Sequence, residues 1–340
     1  MSYTIKIIPS GHKFQINAEE TILEGALRNG FAFAYGCRAG SCGSCKGKVV
    51  EGEFYYEDDE PPLAATGYDA ENNIGVFCQA FPKSDLVLEI KEISAAKDVV
   101  IKTLPCRVAK MERLAEEVML VNLKLPMIER LQFLAGQYVD ILYKDGRRRS
   151  FSMANSPHDD EFIELHVRKV EGGEFTGYVF NEMQEKDLLR IEGPYGSFFL
   201  REKSEKPIIL MAGGTGFAPV KSILEHAFSE GISRPIYFYW GARYRDLLYM
   251  ENVPEKWAAE YENFHYIPVL SEAKPSDNWK GRTGLVHDAV TEDFNDLSAF
   301  DVYASGRPEM IDLGREAFLK QGMEEDRFYF DSFTFGVDCI

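Results

Sequence analysis

Three cysteines within nine residues constrain this chain more than any other feature: Cys37, Cys42 and Cys45 in Tyr35-Gly-Cys-Arg-Ala-Gly-Ser-Cys-Gly-Ser-Cys-Lys-Gly47, with Cys78 following later. The spacing C-x4-C-x2-C, then C, is a ligand pattern of a [2Fe-2S] cluster, which needs four thiolates converging on two irons. Gly36, Gly40, Gly43 and Gly47 punctuate the same stretch. Residues without Cβ let a backbone close tightly round a cluster and aim N–H groups at its sulfurs. Three other readings compete: a structural zinc site, disulfides and unconnected core thiols. Zinc favours paired short knuckles, of which there is one here, and disulfides are disfavoured in a reducing compartment. Cys106 and Cys339 have no partner at ligand spacing and read as structural or incidental.

The compartment and partner classes follow from composition. A chain of 340 residues with 45% hydrophobic side chains supplies core material for two or three domains. No apolar run approaches the roughly 18 residues needed to cross a bilayer, so no membrane insertion is expected. A net charge of −17 repels phosphate backbones, which argues against nucleic acid as a partner. Met1 to Pro9 lacks the basic and apolar regions of a secretory signal, and the expected location is the cytoplasm.

The flanks of the cysteine stretch predict a small domain over residues 1–95. Thr4 to Ile8 reads as a strand with a hairpin partner at Phe14 and Ile16, and Thr21-Ile-Leu-Glu24 is a capping box opening a short helix that Gly30 ends. Strands at Val49–Glu51 and 86–90 complete a β-grasp layout. This part of the chain resembles a plant-type ferredoxin domain. The acidic run Glu57-Asp-Asp-Glu60 reads as a solvated loop, with partner docking as the alternative.

From Ile101 to about residue 203 the texture changes to short alternating runs separated by turn signals, predicting an antiparallel β-barrel. Within it, Arg147-Arg-Arg-Ser-Phe-Ser152 is a basic segment in an acidic chain, suited to one bound phosphate group. Together with His166-Val-Arg168, Gly172-Gly-Glu-Phe-Thr176 and Gly193-Pro-Tyr-Gly196, it resembles the flavin domain of the ferredoxin-NADP reductase superfamily. An ordinary turn is the plain reading of Gly193 to Gly196. The resemblance implies that Arg149 would hold the FAD pyrophosphate, Phe151 would stack on the isoalloxazine and Ser152 would hydrogen-bond near the reactive N5. His166 and Arg168 would join the cofactor site, and Gly173 to Thr176 would bind pyrophosphate through N–H groups and a hydroxyl.

Residues 206–340 predict a parallel α/β domain of Rossmann-like type. Ile208 to Ala212 is a continuous apolar strand, followed by Gly213-Gly-Thr-Gly-Phe-Ala-Pro219 and a helical stretch Val220 to Phe228. Such a loop offers N–H groups and a positive helix end to a pyrophosphate. Pro219 replaces the third glycine of the usual fingerprint, and no acid ends the next strand, Ile236 to Trp240. Gly213, Gly214, Thr215, Gly216 and Pro219 instead resemble the NAD(P)-binding domain of the same superfamily, where the proline begins the helix. By that resemblance Arg243 would contact the nucleotide, and Ser305 with Gly306 would lie near the nicotinamide, the serine replacing a cysteine found in relatives. Asp331 would be the acid of the C-terminal segment and Phe333 the aromatic that covers the flavin. Glu272 would stand where NADPH-using relatives place an arginine, favouring NADH over NADPH.

The order ferredoxin, flavin, nicotinamide spans the chain and resembles phenol hydroxylase reductases and CDP-6-deoxy-glucoseen reductases. A nicotinamide gives up two electrons as hydride, whereas a [2Fe-2S] cluster accepts one, so a flavin between them would divide the pair. The expected activity is an NAD(P)H-dependent oxidoreductase with FAD and a [2Fe-2S] cluster, with Ser152, Asp331 and Phe333 at the reaction centre. Electrons would pass to a protein acceptor, a deoxysugar dehydrase or an oxygenase or hydroxylase component. The alternatives are a stand-alone flavin or quinone reductase and a non-catalytic redox-sensing module.

Overall fold

The computed structural model describes residues 1–93, 99–143 and 146–333. Its contacts divide the chain into two compact units, Met1–Val100 and Ile101–Ile340. Cys339 lies outside the described residues. Among the described residues no helix is long and apolar enough to cross a membrane.

In the first unit, β1 (Ser2–Ile8) pairs antiparallel with β2 (Lys13–Asn17), whose Phe14 and Ile16 point inward while Lys13, Gln15 and Asn17 face solvent. Thr21 caps α1 (Ile22–Arg28): its hydroxyl accepts from the Glu24 amide and the Glu24 carboxylate answers to the Thr21 amide. Gly25 lets this helix lie on the sheet, since a Cβ there would come within 2.6 Å of Ile16. The long cysteine segment leads from α1 to β3 (Lys46–Glu51). Then come β4 (Phe54–Tyr56), α2 (Gly67–Glu71), β5 (Ile74–Val76), β6 (Ala80–Pro82) and β7 (Leu86–Glu89). The main sheet runs β2-β1-β7-β3-β5, with β1 and β7 parallel and the other pairs antiparallel. The acidic run Glu57–Asp59 forms an exposed helical turn.

The second unit opens with a six-stranded antiparallel sheet: β8 (Lys102–Ala115), β9 (Val118–Lys124), β10 (Tyr138–Leu142), β11 (Arg148–Ser152), β12 (Ile163–Arg168) and, after helix α3 (Glu174–Asn181), β13 (Leu188–Tyr195). Its order is β11-β10-β13-β8-β9-β12, and a bridge between Met153 and Leu165 joins the two outer strands. The enclosed core includes Val108, Leu123, Val139, Met153, Leu165 and Ile191. Cys106 is buried in it, and that burial pushes its thiol up to about 12. Gly193 to Tyr195 belongs to β13, where Gly193 pairs with Lys102 and Tyr195 with Tyr138. The turn expected at Gly193–Gly196 is therefore corrected to a strand end.

The remaining sheet is wholly parallel, ordered β17 (Arg282–Thr283), β16 (Phe264–Leu270), β15 (Ile236–Ala242), β14 (Ile208–Gly213), β18 (Asp301–Gly306) and β19 (Phe328–Ser332). Helices α4 (Phe217–Ser229), α5 (Asn252–Glu260), α6 (Val286–Asp293) and α7 (Pro308–Lys320) cover it. Along β14, Ile208, Leu210 and Ala212 join the core that includes Phe217, Val220 and Trp257, while Ile209 and Met211 join the core that includes Val286, Ile311 and Phe318. That alternation is the period-two signature of a strand buried on both faces. Chain order reverses between β14 and β18, leaving the carboxyl ends of those strands as the crevice where such sheets take ligands.

Candidate redox-cofactor sites

Cys37, Cys42 and Cys45 sit in a segment whose backbone repeatedly turns left-handed, and Cys78 lies between β5 and β6. Arg38, Gly40 and Gly43 all have positive φ, and a Cβ on Gly40 would come within 2.6 Å of Pro62. N–H groups are aimed at sulfur: Ala39 and Cys42 donate to Cys37 Sγ at 3.4 Å, and Cys78 donates to Cys45 Sγ at 3.4 Å. The Ser41 hydroxyl adds a bond to Cys37 Sγ at 3.3 Å. As free thiols the cysteines pair two and two. A bond from Cys42, helped by Ser41 and two amides, lowers Cys37 to about 5, and Cys42 is raised in return. Cys78 is lowered by the corresponding bond with Cys45, which is pushed up.

Among the described residues no three of these cysteines converge on one ion-sized point. A mononuclear zinc site needs its thiolates round a single centre, whereas two pairs suit two irons. Gly47 proves to have a different task from loop closure. It lies in β3, and a Cβ there would meet the Phe77 ring at 2.4 Å, so its role is to admit the aromatic core.

In the second unit, β11 presents Arg149 and Phe151, both half-buried, and ends at buried Ser152. Phe151 packs against Phe175, with ring centroids 5.5 Å apart. Ser152 and Asp331, 179 residues apart in sequence, meet with a 3.1 Å hydrogen bond between the hydroxyl and the carboxylate. Asp331 lies opposite Ser305 in the β18–β19 register, and the Phe333 amide donates to Gly306 O at 2.8 Å. Ser152, Asp331, Ser305, Gly306 and Phe333 thus form one connected group. Ser305 is wholly buried, and its hydroxyl has no partner within the described protein. Such an orphan calls for a partner that the described residues do not supply.

The glycine loop leaves β14 at Gly213, makes a helical turn over Gly214–Gly216 and enters α4 at Phe217. Gly216 lies so close to β18 that a Cβ would come within 2.1 Å of the Ser305 carbonyl oxygen. Gly214 has a φ of +53° with open space beside it, and its carbonyl is held by the Trp240 indole at 3.0 Å. Thr215 and Pro219 are buried here. The helix begins earlier than expected, so Pro219 is its third residue rather than its first. The missing N–H costs nothing there, because first-turn amides lack intrahelical acceptors.

Two residues expected at the flavin have protein partners for their side chains in this structure. Thr176 spends its hydroxyl internally, accepting from the Val170 amide at 3.1 Å and lying 3.2 Å from Gly173 O. Gly173 is the residue before α3, and a Cβ on it would meet that hydroxyl at 2.7 Å. The first-turn amides of α3 are the backbone donors this segment offers to an anion. His166 is buried, and both ring nitrogens are engaged, Nδ1 with Tyr249 at 2.9 Å and Nε2 with Glu164 at 3.1 Å. Burial lowers its pKa, consistent with a neutral ring that accepts from the tyrosine and donates to the carboxylate.

Glu164 is in turn held by buried Lys221, at 3.1 Å, and Lys221 also meets Glu225 at 2.9 Å and donates to Ala154 O at 3.2 Å. Against the cost of burial, the bond from His166 and the Lys221 charge pull Glu164 down to about 2, while burial pushes Glu225 up. Periodicity gives no sign of this network, because its members come from β12, α4 and the segment before α5. Glu117, in the β8–β9 turn, was equally hidden. Its two oxygens take Arg168 at 3.3 Å and Arg243 at 3.4 Å, bringing together two arginines expected at the cofactors. Arg307 is close enough to depress Arg168 further, after burial. Beside Arg243, the exposed Glu272 donates its amide to the Arg243 carbonyl at 2.8 Å, so the two stand together at the ends of β15 and β16.

Comparison with known proteins agrees with this arrangement. Residues 5–83 match the 2Fe-2S iron-sulfur cluster binding domain, residues 105–200 the oxidoreductase FAD-binding domain and residues 210–316 the oxidoreductase NAD-binding domain. The chain belongs to the ferredoxin-NAD(P) reductase superfamily, in the branch that carries its own 2Fe-2S domain. It is 40% identical to the CDP-6-deoxy-L-threo-D-glycero-4-hexulose-3-dehydrase reductase of Yersinia pestis, over 98% of this chain and 99% of that one. The phenol hydroxylase P5 protein of Acinetobacter pittii is 34% identical over 99% and 96% of the two chains. Among solved structures, the Amycolatopsis cytochrome P450 reductase GcoB superposes with a TM-score of 0.80 at 29% identity, covering 98% and 99%. The protein is an oxidoreductase whose cofactors are a [2Fe-2S] cluster, FAD and a nicotinamide dinucleotide, and it passes electrons on to an acceptor protein.

Proposed function

We propose that this chain is the NADH-dependent reductase component of a deoxysugar dehydrase system. The carrying observation is likeness along the whole length: 40% identity over 98% of the chain to a dehydrase reductase, against 34% to the phenol hydroxylase protein. In this reading residues 1–95 are a β-grasp ferredoxin domain, 101–203 a flavin-binding β-barrel and 206–340 a Rossmann-like nicotinamide domain. Support comes from the mixed five-stranded sheet, from the Met153–Leu165 bridge that joins the outer antiparallel strands, and from the parallel sheet with helices on both faces.

The nicotinamide supplies a hydride, the flavin takes the pair and releases it singly, and the cluster carries one electron at a time. Cys37, Cys42, Cys45 and Cys78 would hold the irons, and the amides aimed at their sulfurs stabilise thiolate charge. Arg149 and the first-turn amides of α3 would meet the flavin pyrophosphate, while Phe151 and Phe333 would pack on its ring. Asp331 holds the Ser152 hydroxyl in place at 3.1 Å, and the pair would polarise the reacting face. The start of α4, where Gly214 has open space beside it, would take a pyrophosphate, with Ser305 and Gly306 beneath the nicotinamide and Arg168 and Arg243 on the phosphates. The Glu272 carboxylate beside Arg243 would repel a 2′-phosphate, which is the ground for NADH.

Two variants divide the route. Ser152→Ala should slow flavin bleaching by NADH about tenfold or more. Cys42→Ser should leave flavin bleaching intact and abolish reduction of a dehydrase component. Delivery to the dehydrase by the Cys42 variant, or faster delivery by the wild type to an oxygenase component than to the dehydrase, contradicts the assignment.

A further inference from the structure

One group of metal-ligating side chains lies apart from everything used above. His158 follows β11 in the segment that leads to β12, and His226 and Glu230 come from the last turn and the end of α4. His158 Nε2 lies 3.0 Å from His226 Nδ1 and 3.1 Å from Glu230 Oε1, and the three donor atoms fall within 4.8 Å of one another. His226 and Glu230 are four residues apart, so they share one face of the helix end. Metal bonds of about 2.0–2.1 Å arranged tetrahedrally place donors roughly 3.3 Å apart, close to the separations found here.

Three further features favour a cation. The other nitrogen of His226, Nε2, meets Glu202 Oε1 at 2.8 Å. A carboxylate on the far nitrogen fixes the tautomer whose Nδ1 lone pair can ligate. The carbonyl end of α4 carries partial negative charge. The two histidine rings also meet directly, with centroids 5.0 Å apart and planes 13° from parallel, so the segment after β11 and the end of α4 are already brought together at these side chains.

We propose that His158, His226 and Glu230 form a zinc site, with Glu202 orienting His226 and a fourth position open to water. Two imidazoles and one carboxylate match the ligand preferences of zinc rather than of calcium or magnesium. The ion would tie the segment after β11 to α4 along the seam where Ser222 already donates to Asn155 O at 2.7 Å and Lys221 to Ala154 O. The site is thus a staple between the antiparallel and the parallel sheet, separate from the cysteine cluster.

The test uses full-length protein loaded with iron and flavin. It is dialysed against buffered Zn2+ or Mg2+, and its zinc and iron content is measured by mass spectrometry. The wild type should bind one zinc per chain with no loss of iron, and should melt about 5–10 °C higher at a hundredfold excess over Kd. His158→Ala, at an exposed position, should lose that zinc, and Glu202→Gln should bind it ten- to a hundredfold more weakly. Equal zinc content in the wild type and His158→Ala, or zinc uptake only as iron is lost, overturns the proposal.

Discussion

Replacing Lys221 by methionine separates a network that holds the second unit together from one that merely decorates it. The Lys221 side chain is 9% exposed and its ammonium reaches Glu164 at 3.1 Å, Glu225 at 2.9 Å and the Ala154 carbonyl at 3.2 Å. Methionine fills similar space and removes the charge, leaving two half-buried carboxylates without a cation. Removing one partner of a buried pair costs about 3–5 kcal/mol. For a unit of this size that is a fall in melting temperature of roughly 6–20 °C. The pH dependence has a definite sign. Glu164 is held at about 2 in the folded wild type, below the ordinary carboxylate value of 4.5, so its contribution is present above about pH 4.5 and fades as pH falls toward 2. In the variant the same carboxylate rises above its unfolded value and takes up a proton on mild acidification. The deficit against wild type should therefore be largest at neutral pH and shrink by pH 5. A second change, Glu164→Gln, should recover part of it. Melting is followed by flavin fluorescence in the full-length protein at pH 7.5 and 5. A deficit below about 1 kcal/mol at pH 7.5, or one that grows on acidification, refutes the reasoning.

Two other perturbations follow from the same geometry. Gly216→Ala drives a Cβ to within 2.1 Å of the Ser305 carbonyl, so the loop must shift, and binding of NADH measured by isothermal titration should weaken at least tenfold while bound flavin and iron are retained; unchanged affinity would remove the glycine loop from the nucleotide site. Glu272→Arg should raise kcat/KM for NADPH relative to NADH by tenfold or more, and an unchanged ratio would dissociate this carboxylate from coenzyme choice.

The features legible in the sequence were those carried by local chemistry. The Thr21–Glu24 capping box needs four consecutive residues, and the structure makes both of its bonds. The alternation in β2 and the apolar run of β14 announce their strands in the same way. Gly47 looked like a loop residue because it follows the cysteines, yet its neighbour in space is Phe77, thirty positions on. Helix α4 was read as Val220 to Phe228, from the apolar residues at 220, 223, 224 and 227. Packing of Phe217 on Trp240, with centroids 4.1 Å apart, extends it back to Phe217. His166 carries a cofactor expectation from its neighbours in sequence; the partners of its ring in the fold, Tyr249 and Glu164, come from a distant segment and from its own strand, and local sequence announces neither. Glu117 left no local signal, because its importance is the meeting of Arg168 and Arg243 across 75 residues of chain. Ser152 and Asp331 were associated through family resemblance alone; their hydrogen bond is a property of the folded second unit.

The most direct test of the electron route is an anaerobic titration of the purified, cofactor-loaded protein with NADH, followed by visible absorbance and electron paramagnetic resonance. The account requires flavin bleaching and the appearance of a reduced [2Fe-2S] signal, with about three electrons taken up per chain, two at the flavin and one at the cluster. Full flavin bleaching with the cluster still oxidised after prolonged incubation, or a chain that retains neither iron nor flavin, would contradict it.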